Sequence, residues 1–294
     1  MAIKITNNTV IPNISGDATC QNLAVGINAL AANTTGCYNT AIGFDALCSN
    51  TSGSCNTALG ANALNVNTIG SNNLAIGSNA MFSNTTGAGN TALGTCALYS
   101  NTTGQNNVAI GFCALRVNTS GSCNVAVGQA ALGSVTFGTR NVAVGMIAGC
   151  AITTGCCNTI VGSGAGVAVS TGCLNTLIGP AAGASITTGI GNVVLGGNNG
   201  STIATSSCNI IISDGAGTAR ISVDSTGITT LSGTTVASNT TTGALIVSGG
   251  VGVGGSVYVN NKIGYVNNWP SQQNTSVVFQ CYNTATTSLD TIFG

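Results

Sequence analysis

Cysteine is the most reactive side chain that this 294-residue sequence holds in quantity, with thirteen copies, and most of the other groups that enzymes use are missing. There is no His and no Glu. The acids are Asp17, Asp45, Asp214, Asp224 and Asp290, and the bases are Lys4, Arg116, Arg140, Arg220 and Lys262. General acid–base catalysis needs an imidazole or paired, positioned carboxylates. Five scattered aspartates offer no such set, which disfavours a polysaccharide lyase or hydrolase. The expectation is a protein that is not an enzyme, with no catalytic residue, no cofactor and no metal ligand.

The cysteines themselves allow two chemistries. Zinc is disfavoured by the absence of His and of Cys-x-x-Cys pairs. A disulfide framework is disfavoured by the odd count and by an N-terminus, Met1-Ala-Ile-Lys-Ile-Thr, that lacks the pattern of a secretory signal. The simpler reading is Cys as a small, buriable residue at turn corners, with some neighbouring pairs able to oxidise. Gly249-Gly-Val-Gly-Val-Gly-Gly255 has the glycine density of a phosphate loop. It lacks a following helix pattern, a Lys-Ser/Thr and an acidic partner, so packed turns near a symmetry axis are expected instead.

Composition narrows the classes further. Charged residues make up 3%, aromatics 4% and hydrophobic residues 44%, with a formal net charge of zero. That charge gives no electrostatic case for nucleic acid or an anionic membrane. No apolar run approaches the roughly 18 residues of a membrane helix. Low polarity with regular phasing argues against disorder.

What positions these residues is a repeat. Asn22-Leu-Ala-Val-Gly26 recurs as Asn39-Thr-Ala-Ile-Gly43 and Asn56-Thr-Ala-Leu-Gly60, and the Asn returns every 17 residues through Asn209, twelve copies without insertion. A second phrase, Asn33-Thr-Thr-Gly36, and a third, Ala29-Leu30, keep the same spacing. Fixed-period self-similarity marks a repeat architecture. Seventeen residues are too few for a helix, a strand and two turns. Each copy is therefore expected to be one coil of two short strands, such as Leu23–Val25 and Thr34–Thr35, with parallel stacking at about 4.8 Å.

Stacking turns every seventeenth residue into a column. The fourth place of the phrase, Val25 through Ile212, is always aliphatic and is expected to fill the coil. The third place is Ala in eight copies and then Ile160, Leu177, Val194 and Ile211. Its side chains point to the opposite face of the strand, which predicts a second chain covering Ile160, Leu177 and Val194. The Asn column suits a hydrogen-bonded ladder, and the Thr column (Thr34, Thr51, Thr68 and onward) an exposed file of hydroxyls. Midway, Asn33 through Asn118 give way to Val135, Ile152, Val169 and Ile186, and Ala-Leu becomes Ala148-Gly149, Ala165-Gly166 and Ala182-Gly183. A different cross-section and different packing of neighbouring chains are expected there.

These phrases resemble the left-handed β-roll repeats of trimeric autotransporter adhesin heads. They are more similar still to repeat-bearing fibre proteins of bacteriophages and large DNA viruses. Thr242-Gly-Ala-Leu-Ile-Val-Ser-Gly-Gly-Val-Gly-Val-Gly-Gly-Ser-Val-Tyr-Val259 is similar to a stretch near the C-terminus of viral tail fibres. No coiled-coil stalk, outer-membrane anchor or intramolecular chaperone follows, so the resemblance is partial. It implies an all-β, trimeric, parallel β-solenoid (left-handed β-roll) of about twelve 17-residue coils. The expected organisation is a leader or cap (1–21), the β-roll (22–213), a Gly-rich β stalk or junction (214–262) and a small β cap or tip (263–294).

The function expected on this basis is a homotrimeric structural fibre or spike at a virion or other extracellular surface. It would be a rigid rod and an adhesin for a host-surface receptor or glycan, attached to a virion or fibre base. Neither nucleic-acid binding nor membrane insertion is expected. The alternative is a monomeric ice-binding solenoid using the Thr column. The sequons at Asn33, Asn50, Asn84, Asn101, Asn118, Asn239 and Asn274 are explained by turn geometry.

Overall fold

The computed structural model describes residues 20–232, 281–282 and 289–290. The first 233 residues belong to one compact unit and Thr234–Gly294 to another. The leader, the glycine-rich stretch 249–255 and most of the tail, with Trp269, lie outside the described residues.

The repeat folds as a parallel β-solenoid, and the expected register holds throughout. Twelve strands stack in chain order: Leu23–Val25 (β1), Thr40–Ile42 (β2), Thr57–Leu59 (β3), Leu74–Ile76 (β4), Thr91–Leu93 (β5), Val108–Ile110 (β6), Val125–Val127 (β7), Val142–Val144 (β8), Thr159–Val161 (β9), Thr176–Ile178 (β10), Val193–Leu195 (β11) and Ile210–Ser213 (β12). Each residue pairs with the one 17 later, as Ala41 with Ala58. About eleven turns separate β1 from β12. After Asp214 the chain reverses: Ala219–Val223 (β13) pairs antiparallel with β12, and Thr229–Leu231 (β14) pairs antiparallel with β13. In the second unit, Cys281–Tyr282 (β15) pairs antiparallel with Leu289–Asp290 (β16).

Each coil holds one strand, not the expected two. At Thr34–Thr35 the amides of Thr34, Thr35 and Gly36 all donate to the single carbonyl of Thr51, at 2.9, 3.0 and 3.3 Å. A strand would spread those donors over a ladder; here they converge as the chain turns. The rest of the circuit is made of corners with left-handed backbone. Leu30, Leu47, Leu64, Met81, Leu98, Leu115 and Leu132 all hold φ between 50 and 54°. That conformation costs a non-glycine residue on the order of 1–2 kcal/mol, which burial of a Leu side chain, about 1.5–3 kcal/mol, offsets. At the end of each strand from β1 to β11 only glycine fits. Gly77 has φ 131°, and a Cβ there would lie 2.7 Å from the carbonyl carbon of Gly94 in the next coil.

The two sides of the strand are reversed relative to expectation. The third place faces inward: Ala58, Ala92, Ile160, Leu177 and Val194 are fully buried within their own chain. The fourth place faces out, with Leu59, Leu93 and Ile178 at 43, 42 and 41% exposure. Beside a large corner residue the interior leaves no room for a large side chain on the strand. It already holds Leu or Met at the corner, so alanine is what fits on the strand.

The mid-chain change of pattern is an internal exchange of volume. The register continues unbroken across β8 and β9. Where the corner Leu becomes Gly149, Gly166 and Gly183, the strand's inner Ala becomes Ile160, Leu177 and Val194. A Cβ on Gly149 would lie 3.0 Å from Ile160 Cδ1 and 3.1 Å from Ile152 Cδ1. Side chains from the strand and from the former Asn column thus occupy the space the corner vacated, which keeps the core filled at near-constant density.

Candidate binding surface

Three sets of side chains merit examination: the asparagine ladders, the hydroxyl and sulfur columns, and the outer face of the sheet. Two asparagine files run inside the coil and meet on a common acceptor. Asn39 Nδ2 and Asn50 Nδ2 donate to the same Gly53 carbonyl at 2.8 and 2.9 Å. Along the outer-phrase file, Asn39 N–H donates to Asn22 Oδ1 at 2.8 Å, and the pattern repeats up to Asn209 on Asn192. These amides are buried and bonded, so they serve the fold as the sequence predicted. The same burial covers the sequons at Asn33, Asn50, Asn84, Asn101 and Asn118.

The threonine file is not free. Thr34 Oγ1 donates to the Thr51 carbonyl at 2.9 Å, Thr85 to Thr102 at 3.0 Å and Thr187 to Ala204 at 3.1 Å. Apart from Thr34, which is itself exposed, the exposed residues are the next ones along: Thr35, Thr86, Thr103, Thr154, Thr171 and Thr188. Ile69 and Phe137, at 54 and 62% exposure, interrupt this second file.

The cysteines do not occupy buried corners. Among the described residues only Cys20 is buried, and it is disulfide-bonded to Cys37 one coil later. Cys55, Cys123 and Cys208 are exposed, and Cys48, Cys96, Cys113, Cys150, Cys156, Cys157 and Cys173 are half-buried. Burial pushes the Cys150 thiol up, and for Cys48 burial is reinforced by the Asp45 charge. Among the described residues no group of three His, Cys, Asp or Glu is placed to hold a metal ion. No described helix is long and apolar enough to cross a membrane.

Charge is sparse and local. Arg220 donates to Asp214 at 2.7 Å, and Asp214 also accepts from the Thr218 and Ala216 amides. This closes the turn before β13. Asp224 does the same before β14, accepting from the Thr226 hydroxyl at 2.7 Å and from the Ile228 amide at 3.0 Å. Both are turn aspartates with carboxyls held below the usual range, Asp214 chiefly by the Thr218 amide and Asp224 chiefly by the Thr226 hydroxyl.

The outer face of the sheet is therefore the most distinctive surface. Along β1–β12 it presents the aliphatic fourth place together with the second place, where Leu23 and Ile210 are exposed and Val108, Val125, Val142 and Val193 half-exposed. Ile27, Phe44, Phe112 and Met146 at the strand ends add to it. The second place is Thr at Thr40, Thr57, Thr91, Thr159 and Thr176, so the face is an aliphatic column flanked by mixed side chains, and an exposed aliphatic column of this kind is a candidate interaction site. Sequence reasoning placed the third place outward and the fourth inward, and the structure has them the other way round. The available signal was the eight-fold alanine, a size that suits a filled interior. No family model matches this chain, and no curated protein or solved structure is similar enough to count as a relative.

Proposed function

We propose that the protein is a structural surface fibre, a homotrimeric rod carried by a virion, that acts as a spacer and adhesin toward a host-surface receptor or glycan. The observation that carries this reading is the outer face of β1–β12, where Leu59, Leu93, Val144 and Ile178 lie open to water on one side of a regular solenoid. Self-association hides such a face, and three copies around an axis would cover it along its length. The sequence's resemblance to viral fibre repeats supports the virion surface as its place. The reading includes no catalytic activity and no cofactor.

Light scattering on the purified chain tests the assembly. A mass three times the 28.5 kDa of one chain is expected, and a monomeric mass at micromolar concentration would overturn it. Ice binding is the weaker reading, because the Thr34 file is engaged in hydrogen bonds and the Thr35 file is broken by Ile69 and Phe137. Thermal hysteresis comparable to buffer is expected.

A further inference from the structure

We propose that Cys156 and Cys173 form a cross-coil disulfide, a covalent staple between consecutive turns in the half of the solenoid where the inner asparagine ladder has been replaced by aliphatic packing. The two residues occupy the same place in successive coils, 17 apart, and that place is the one where Cys20 and Cys37 are bonded with a Cα–Cα distance of 4.7 Å. Their sulfurs lie 2.9 Å apart, and the Cys156 amide donates to Cys173 Sγ at 3.0 Å. The backbone thus already holds both sulfurs in one column, within the reach that disulfide geometry requires.

The column supplies its own comparison. Its other members include Ser54, Ser71, Ser122 and Ser207, whose hydroxyls accept the amide of the preceding coil at 3.0 Å. Serine is thus sufficient for the structural role, and one isolated Cys would read as a substitute for it. In this column Cys occurs only as stacked pairs, 20 with 37 and 156 with 173. In the adjoining column Cys55, Cys123, Cys157 and Cys208 each stand without a Cys one coil away.

The oxidising equivalents come from a small-molecule disulfide such as oxidised glutathione. One cysteine of the pair, as its thiolate, displaces one glutathione thiolate and forms a mixed disulfide. The other gives its proton to solvent, and its sulfur attacks the first sulfur and expels the second glutathione thiolate. Two protein thiols become one disulfide, and one glutathione disulfide becomes two thiols. Closing a 17-residue loop removes conformations from the unfolded chain, so the staple resists unwinding.

The test equilibrates the full-length protein with excess oxidised glutathione, blocks remaining thiols with an alkylating reagent, digests with pepsin in acid and maps the peptides by mass spectrometry. A linked pair of peptides carrying Cys156 and Cys173 is expected, present in Cys157→Ser and lost on reduction. In Cys156→Ser, which copies the column's own serine, Cys173 is expected as a glutathione adduct. Reduction is expected to lower the thermal midpoint further in the wild type than in that variant. Cys156 and Cys173 both recovered as alkylated thiols or separate glutathione adducts, or Cys173 joined to Cys157, would overturn the proposal.

Discussion

Asn118 Nδ2 donates to Asn101 Oδ1 at 2.8 Å, and with that bond the inner asparagine ladder ends. The next coil has Val135 at this place, so no amide reaches Asn118 Oδ1, which is buried without a partner. A one-directional ladder of amides has one unmatched acceptor wherever it stops. Asn118→Val moves that acceptor back to Asn101 without adding one. Asn84→Val, in the middle, frees Asn67 Oδ1 as well. Asn84→Val is therefore expected to be the more destabilising by about 1–3 kcal/mol, measured by chemical denaturation. Equal effects would refute the ladder account.

The exchange of volume between corner and strand predicts non-additivity. Ile160→Ala empties core space and is expected to cost about 2–5 kcal/mol. Gly149→Leu alone overpacks, since its Cβ would stand 3.0 Å from Ile160 Cδ1. The double variant restores the Leu-plus-Ala arrangement of the earlier coils. Its destabilisation should fall short of the sum of the two single changes by about 0.5–3 kcal/mol, read from a double-mutant cycle.

Charges on the outer face should separate assembly from folding. Leu59→Lys with Leu93→Lys places two cations on the exposed side of β3 and β5, where the solenoid's own core is untouched. Retained strand content by circular dichroism, together with a drop to monomer mass by light scattering, is expected. An unchanged oligomer would move the interface elsewhere.

The hairpin β13–β14 should loosen in acid. Asp214 and Asp224 both titrate below the ordinary carboxylate value of 3.8, through the Thr218 amide and the Arg220 guanidinium for the first, and the Thr226 hydroxyl and Ile228 amide for the second. A depressed folded pKa means that the stabilisation is present above the unfolded value and is lost as pH falls through the folded one. Amide exchange at Ile228 and Thr218 is expected to lose protection below about pH 3.8 relative to the stacked coils, once corrected for intrinsic rates. Asp224→Asn should flatten this dependence at Ile228.

The sequence by itself determined the period, the parallel register, the asparagine files and the point near Asp214 where winding stops. Those properties are copied from coil to coil, so one phrase aligned with its neighbour 17 residues on already specifies them. It did not determine which side of each strand faces inward. A three-residue strand such as Thr57–Leu59 gives one inward and two outward positions, too short an alternation to show its sense, and both candidate columns are apolar. Tertiary structure decided it through space: Leu47 and Leu64, turned inward by left-handed corners, fill the narrow interior and leave room on the strand only for Ala41 and Ala58. The same geometry stacked Cys156 over Cys173 and engaged the Thr34 hydroxyl, because side-chain direction at a corner is set by backbone that the residue types alone do not reveal.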